Sequence, residues 1–247
     1  FDTVKPDFVI VSHASNVFGL IAPVEDIFAL AKKYEAITLV DMAQTAGLVD
    51  LNVGLTTIDF AVFAGHKTLY GPTGISGFVM NPAVKFPAVI FGGTGYESAN
   101  QDMPEDLPQK YEMGTQDIAG IAGLNAALGW SAQVTIDAIR KKEAENRKKL
   151  IDLLSRYSYI KIIGNYDSCN YVGIVSCIIE GISSDSAGPV FDRCGIAVRT
   201  GLQCAPLAHQ FMGTFPAGTI RFSVNYFTTD KDFAELEQAL DYIDSEL

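Results

Sequence analysis

The spacing of apolar residues divides the first half of the chain into strands and one helix. An apolar strand over Asp7–Ser12 is followed by a helix that begins at Pro23, where the missing proline N–H costs nothing. A second strand over Thr38–Asp41 completes a β-α-β unit, which predicts two parallel strands joined by a right-handed crossover. Further apolar strands are predicted over Asp59–Phe63 and Ser76–Met80.

The pattern changes in the second half of the chain. Gly92–Lys110 is rich in Gly, Asn, Asp and Pro and is predicted to be a long loop. A helical pattern follows from Asp117 to Tyr157; we expect its small, apolar first half to be buried and its charged second half to be exposed. The rest predicts strands near Ile160 and over Val172–Ile179, Ile196–Val198 and Thr219–Val224, and helices over Asp185–Cys194 and from Asp230 onward.

These elements predict an α/β protein with two domains. Residues 1–135 are expected to form a large domain whose sheet is mainly parallel, with helices on both faces, and residues 136–247 a smaller α+β domain. The chain begins at Phe1, without Met, almost directly on a strand. Because domains of this type usually have more strands before this point, we expect the large domain to be incomplete at its N-terminus.

Composition and charge narrow the classes of function. The 247 residues carry a net charge of −11, which disfavours binding to nucleic acid or to anionic membranes. No apolar run reaches the ~18 residues of a membrane-spanning helix, and the start has no signal-peptide pattern, so we expect a cytoplasmic protein. Cys169, Cys177, Cys194 and Cys204 form no Cys-x-x-Cys pair and there are three His, which favours reduced thiols and no metal site.

Four polar side chains follow two of the predicted strands. Asp41 and Gln44 come at the end of one strand, and His66 and Lys67 at the end of the next. Ligands of α/β sheets bind at the carboxyl ends of parallel strands, so these side chains are expected to share one pocket. A Lys for a Schiff base and an acid for a pyridinium nitrogen suit pyridoxal phosphate.

Five motifs occur in an order that points to one family. They are Ser-His-Ala-Ser-Asn-Val-Phe-Gly (12–19), Val-Asp-Met-Ala-Gln (40–44), Gly-His-Lys (65–67), Glu-Met-Gly-Thr (112–115) and Arg-Thr-Gly-Leu-Gln-Cys-Ala-Pro (199–206). Together they resemble the cysteine desulfurases of the class V aminotransferase group, which are pyridoxal-phosphate enzymes of fold type I. The resemblance covers nearly the whole chain and implies that residues 1–135 are part of the cofactor-binding large domain.

The resemblance implies roles for the residues at the strand ends. Lys67 would form the Schiff base with pyridoxal phosphate and later move protons at the substrate Cα. Asp41 would pair with the protonated pyridine nitrogen, Gln44 would bind the ring hydroxyl, and His66 would bind the phosphate. Each has an ordinary structural alternative, such as a surface Lys, a turn-forming Asp or a polar residue at a helix start.

It also implies roles outside these strands. Cys204 would attack the substrate sulfur and become a persulfide, with Arg199 near enough in sequence to favour the thiolate. Arg221 would bind the substrate carboxylate, and Asn16 the ring hydroxyl or that carboxylate. Thr115 would reach the cofactor phosphate of the partner subunit in a homodimer. The alternatives are a surface ion pair for Arg221, a turn for Asn16 and a helix N-cap for Thr115.

His13, beside Asn16, fits the site and a supporting position in the core equally well.

The implied reaction converts L-cysteine to L-alanine and leaves a persulfide on Cys204, whose sulfur passes to an acceptor protein or a small thiol. The sequence departs from the family pattern in three places. Ala64 stands where family members usually carry a Ser or Thr, and Leu202 or Gln203 where many carry a His. The third departure concerns the family's phosphate-binding loop and the His that stacks on the pyridine ring. Both would lie before Phe1 and are not in this sequence.

These departures leave two alternatives open. One is a class V aminotransferase or selenocysteine-lyase-like enzyme with another substrate. The other is an inactive fragment that holds the cofactor weakly or not at all.

Overall fold

The computed structural model describes residues 1–97, 99–164 and 170–246. In chain order its helices and strands are β1 (Phe8–Ser12), α1 (Val24–Lys32), β2 (Ile37–Asp41), β3 (Phe60–Ala64), β4 (Ser76–Met80), α2 (Ile118–Val134), α3 (Ile136–Leu154), β5 (Ile160–Ile163), β6 (Ile174–Ile179), α4 (Ser184–Arg193), β7 (Arg199–Gly201), α5 (Pro206–Phe211), β8 (Thr219–Ser223) and α6 (Asp230–Glu246). A short 3-10 helix, Gln109–Tyr111, ends the predicted loop.

The first sheet has the strand order β1-β2-β3-β4. Strands β1, β2 and β3 are parallel, and β4 pairs with β3 in the antiparallel direction. The predicted β-α-β unit is therefore confirmed, and each predicted strand agrees with the observed one to within a residue. This sheet places the carboxyl ends of β2 and β3 side by side.

Alternation along the strands separates the two faces of this sheet. Val9, Val11, Val40 and Ala61 pack with α1, whose Phe28 is fully buried. The opposite face carries a second apolar row, which faces residues 86–90 and 110–113. This row is Phe8, Ile10, Leu39, Phe60, Val62 and Phe78.

The second sheet is antiparallel, with the order β5-β6-β8-β7. The strand predicted over Ile196–Val198 is instead found at Arg199–Gly201. The backbone N–H of Ile196 donates to Phe191 O at 2.9 Å, so residues just after α4 close the end of that helix. Ile196 and Val198 contribute apolar side chains to the core without pairing as strands.

The predicted long helix is broken at Thr135. Its φ of +77° cannot continue a helix, and its hydroxyl accepts from the N–H of Ala138 at 3.3 Å, which caps α3. None of the helices in the described part of the chain has the length and apolar character needed to cross a bilayer.

The expected burial of the apolar first half was wrong, whereas the charged second half is mostly exposed as expected and buries one face. Within α2 only Gly120 and Ser131 are buried, and Ile118 remains 70% exposed. By contrast, α3 buries seven residues, including Ile139 and Leu150, against the second sheet. The apolar residues of α2 lie on all sides of the helix, so no single face is favoured for burial. Those of α3 recur at helical spacing and form one apolar face.

Candidate active site

The turn after β3 presents His66 and Lys67 to solvent at the sheet edge. The N–H of Gly65 donates to Ile75 O at 2.9 Å, and Gly65 O accepts from the N–H of Gly71 at 2.8 Å, which closes the turn on both sides. A Cβ at position 65 would lie 2.8 Å from Ile75 O, so this close approach requires glycine. The exposed Lys67 side chain forms no ion pair or hydrogen bond with any described residue.

Two adjacent cavities open at this edge and share Gln44 and Lys67. We call the cavity that Asp41 and Asn16 also line the acid cavity, and the one that His66 and Arg221 also line the arginine cavity. Asp41 ends β2, and its Oδ1 accepts from the N–H of Ala43 at 2.8 Å, so it forms a turn as well as lining a cavity. Gln44 lies in a turn rather than at a helix start.

Asn16 links the two sheets at the site. Its Nδ2 donates to Gln203 O at 2.9 Å, and its backbone oxygen accepts from Nη1 of Arg221 at 2.7 Å. Two of the motifs and strand β8, all far apart in sequence, therefore meet at one residue. Ser15 orders this turn, because its hydroxyl accepts from the N–H groups of Val17 and Phe18 at 3.2 Å each.

Arg221 lies in β8, where the alternation of side chains explains its direction. Ile220 and Phe222 point into the core, so Arg221 points to the arginine cavity. Burial lowers the pKa of Arg221, and the positive charge of Arg199 on the neighbouring strand lowers it further. Its Nε is buried without a hydrogen-bond partner among the described residues, and no carboxylate there pairs with it. A guanidinium in this state suits a planar anion such as a carboxylate.

Three predicted site residues line neither cavity: Arg199, Thr115 and Cys204. Arg199 is exposed and stands directly opposite Arg221 in the strand register. Thr115 is exposed ahead of α2. The alternative of Thr115 as the helix N-cap was wrong, because Asp117 caps α2 by accepting from the N–H of Gly120 at 2.9 Å. The predicted role of Thr115 at a partner subunit stays a prediction.

Cys204 lies in the tight loop between β7 and α5. Its φ is +60° and that of Gln203 is +43°, a conformation that costs an L-residue about 1–2 kcal/mol. The Cys204 side chain is exposed, and the next residue, Ala205, lines the acid cavity. The neighbouring contacts must hold this loop in a conformation that the two residues would not adopt alone.

The other cysteines differ from Cys204 in their surroundings. Cys177 is fully buried in the core, and burial raises the pKa of its thiol to about 12. Cys194 is free and exposed at the end of α4. Cys169 lies outside the described residues. Of the described cysteines, Cys204 is therefore the exposed one that lies beside the acid cavity.

Comparison with known proteins gives the family. The profile of the class-V aminotransferase family matches residues 3–236. The chain belongs to the class-V aminotransferases. It is 32% identical over 241 residues to a probable cysteine desulfurase of Methanothermobacter thermautotrophicus and 34% identical over 241 residues to one of Halalkalibacterium halodurans, covering 95% and 96% of this chain. It spans 60% and 58% of the lengths of those relatives.

Solved structures support the same relationship for this class-V aminotransferase. The apo structure of a cysteine desulfurase from Thermococcus onnurineus NA1 superposes with a TM-score of 0.86 at 26% identity, covering 98% of this chain and 60% of that one. The cysteine desulfurase CsdA (S-sulfonic acid) from Escherichia coli gives 0.87 at 26% identity, with 97% and 59% covered. The predicted α/β fold class, with part of a larger domain of this family, is thereby confirmed.

Glu143 is the residue of this class-V aminotransferase site that the sequence did not single out. It is 6% exposed and lines the arginine cavity with Lys67 and Arg221. Burial raises the pKa of its carboxyl to about 7, although a hydrogen bond from the N–H of Gly173 at 2.7 Å opposes this. The signal was present but weak: Glu143 lies four residues after Ile139 and seven before Leu150, on the buried face of α3.

His13 supports the site from the core and lines neither cavity. It is 3% exposed, and its Nδ1 lies 2.9 Å from the hydroxyl oxygen of Thr45, next to Gln44. Burial lowers the pKa of His13, which favours its neutral form. Of the two interpretations of this residue, the structure therefore favours the supporting one.

Proposed function

We propose that this protein is a pyridoxal-phosphate-dependent cysteine desulfurase that converts L-cysteine to L-alanine. One observation carries the proposal: Lys67 and Gln44 lie where the acid cavity and the arginine cavity meet. A carboxylate, Asp41, lies on one side of the amine, and a guanidinium, Arg221, on the other. This arrangement suits a cofactor with a basic ring nitrogen and a substrate with a carboxylate.

The residues present fit the cofactor. The Lys67 amine has no partner among the described residues and is available for covalent attachment. Asp41 uses one carboxylate oxygen for the N–H of Ala43, which leaves the other for a pyridinium nitrogen. Gln44 and Asn16 would hold the ring hydroxyl, and His66 the phosphate. When bound, pyridoxal phosphate supplies an electron sink that stabilises negative charge at the substrate Cα.

The chain's own residues would then carry out positioning and proton transfer. Arg221 binds the substrate carboxylate, with Nε as the free donor. Lys67 removes and returns the proton at the substrate Cα. The C–S bond of L-cysteine breaks as an S–S bond to Cys204 Sγ forms. The substrate sulfur and Cys204 Sγ together lose the electron pair that reduces Cβ. Of the two thiol protons, one ends in the methyl group of L-alanine and the other on the persulfide.

The assembly of the working enzyme is also part of the proposal. Thr115 and Arg199 lie outside both cavities, so their proposed roles are to reach a partner subunit's cofactor and to assist the Cys204 thiolate. A homodimer would meet the first requirement. The exposed position of Cys204 suits transfer of its sulfur to an acceptor protein in the cytoplasm.

The test is a residue-specific map of cofactor attachment followed by an assay of products. After incubation with pyridoxal phosphate and reduction with borohydride, peptide mass spectrometry should find the cofactor on Lys67. It should be absent in Lys67→Ala and retained in Lys85→Ala, a control at an exposed Lys outside both cavities. Attachment elsewhere, or none in the chain and none in a longer form of the protein, would overturn the proposal.

Cys204→Ala separates this reaction from its alternatives. The desulfurase proposal expects L-alanine formation to fall at least about a hundredfold while cofactor attachment at Lys67 persists. A class V aminotransferase or a selenocysteine-lyase-like enzyme would keep its activity on its own substrate in this variant. If the chain is an inactive fragment, neither the parent nor Cys204→Ala will form L-alanine.

A further inference from the structure

A buried polar cluster lies directly behind the Cys204 loop. His209 of α5 is fully buried, with Nδ1 2.7 Å from the Thr214 hydroxyl and Nε2 3.0 Å from Oε1 of Gln203. Gln203 is itself only 6% exposed and precedes Cys204 in the chain. The buried imidazole of His209 is therefore hydrogen-bonded to two polar side chains. One of them belongs to Gln203, the residue before the candidate nucleophile Cys204.

The hydrogen bonds around Gln203 assign the proton on His209. The Gln203 amide nitrogen donates to Thr219 O at 3.1 Å, which directs its oxygen toward the imidazole. An amide oxygen can only accept, so Nε2 of His209 carries the proton and donates. Nδ1 then accepts from the Thr214 hydroxyl, and burial, which lowers the pKa of His209, favours this neutral form.

Gln203 is held at both its side chain and its backbone. Its side chain bonds to His209 and Thr219, and its backbone oxygen accepts from Asn16 Nδ2 at 2.9 Å. These bonds surround the two residues with left-handed φ values, Gln203 and Cys204. The cluster thus provides the contacts that offset the strain of the loop.

His209 acts through Gln203 and not on a ligand. Its neighbour on α5, Ala208, lines the acid cavity, whereas the imidazole of His209 lines neither cavity and packs against Phe18 with ring centroids 5.7 Å apart. Both ring nitrogens are already used within the cluster. Proton transfer to a substrate would require this cluster to break.

We propose that His209 is a positioning residue for Cys204, which it holds in its exposed left-handed conformation through the side chain of Gln203. This inference rests on the proposed function, in which Cys204 accepts the substrate sulfur. The Gln203 amide supplies the link between the imidazole and the Cys204 loop.

Hydrogen exchange tests the positioning without requiring turnover. His209→Phe removes the donor to Gln203 but keeps a ring, and we expect amides of residues 199–208 to exchange at least about tenfold faster. Phe18→Leu is the matched control, because it loosens packing on the same imidazole and leaves its hydrogen bonds in place. Exchange in that segment should stay within about threefold of the parent in the control.

A double-mutant cycle distinguishes positioning from general loss of structure. Gln203→Leu breaks the same link from the other side, so combining it with His209→Phe should add little, with exchange within about threefold of either single variant. Additive effects, exchange that rises across the whole chain, or no change in the segment would overturn the inference. Where the parent produces L-alanine, His209→Phe should also lower kcat about tenfold and leave KM unchanged. A parent without desulfurase activity overturns the proposed function but not the result of the exchange measurement.

Discussion

Glu143 carries a buried carboxyl group whose protonation makes the stability of the protein depend on pH. Its pKa rises from 4.5 to about 7 on folding because burial disfavours the charged form. The folded state therefore binds a proton that the unfolded state releases between these values. The stabilisation is complete below about pH 4.5 and is lost as the pH rises through about 7.

Glu143→Gln should remove this dependence while keeping an oxygen that accepts from the N–H of Gly173. At about 1.4 kcal/mol per unit of pKa, the upper limit of the effect is about 3.5 kcal/mol. We expect the free energy of unfolding of the parent to fall by about 1–3 kcal/mol more than that of the variant between about pH 5 and about pH 8. Urea unfolding at both pH values measures it.

The matched control is Glu145→Gln, which makes the same change of charge at an exposed position of α3. Its pH profile should follow that of the parent. If Glu143→Gln also followed the parent, the carboxyl of Glu143 would be charged in the folded state near neutral pH, and the account of the arginine cavity would be wrong.

Residues at strand ends could be predicted to meet, whereas buried polar residues could not. Asp41 and Lys67 follow apolar strands, and the geometry of parallel sheets brings such ends together. Glu143 lies in a run of charged residues that reads as a solvated face. His209 follows Cys204 closely in sequence, but only the folded loop shows that its ring contacts Gln203 rather than a ligand.

Asp59 joins three elements of the first sheet. It lies just before β3, and its Oδ2 accepts from the N–H of Thr38 in β2 at 2.8 Å and forms an ion pair with Lys32 of α1. Burial alone would raise the pKa of Asp59, but the hydrogen bonds from Lys32 and Thr38 hold it below its usual value. The charged carboxylate therefore stabilises the folded state above the unfolded pKa of 3.8, and this is lost as the pH falls through the lower folded value.

Asp59→Asn should destabilise the protein by about 1–3 kcal/mol near neutral pH, since it weakens a buried acceptor of several hydrogen bonds. The difference from the parent should shrink as the pH falls below about 4. Chemical unfolding at both pH values checks it, with the exposed Asp50→Asn as a control for charge alone. A constant difference at all pH values would show that packing, not charge, is responsible.

Elements were predicted well where the period was clear and poorly where it was not. The strands of the first sheet have apolar runs bounded by polar residues, and their positions are confirmed. The break at Thr135 has no Gly or Pro to announce it, because a Thr adopts the positive φ and caps the next helix. Likewise, Ile196 and Val198 have strand-like side chains, but their backbone serves the end of α4.

At the scale of the whole molecule, polar contacts join the two sheets. The hydroxyl of Ser176 in β6 donates to Val17 O at 2.5 Å, and Arg221 of β8 donates to Asn16 O. Residues 20 and 171 form an isolated antiparallel bridge between the same regions. These contacts align both cavities, so the site depends on both sheets. The division into domains at residues 135 and 136 stays a prediction.

The exposed apolar surface of the first sheet predicts that copies of this chain associate with one another. On the outer face of the first sheet Ile10 is 65% exposed, Phe8 41% and Phe78 45%, and β1 is an edge strand. Such an edge favours pairing between copies, whereas the net charge of −11 opposes it. At physiological ionic strength, salt screens the repulsion between charges more than about 8 Å apart. The apolar attraction should therefore exceed the charge repulsion there, but not at low salt.

Sedimentation should therefore give an average mass above the 26.7 kDa of one chain, rising with protein concentration and with salt. Ile10→Lys places a charge on the edge strand and should shift the sample to monomer. Val4→Lys adds the same charge at an exposed apolar residue outside the sheet and should leave association within about twofold of the parent. If both variants dissociate equally, net charge controls association. If the parent is monomeric in high salt, the open face of the sheet is too small or too well covered by residues 86–90 and 110–113 to bind a second copy.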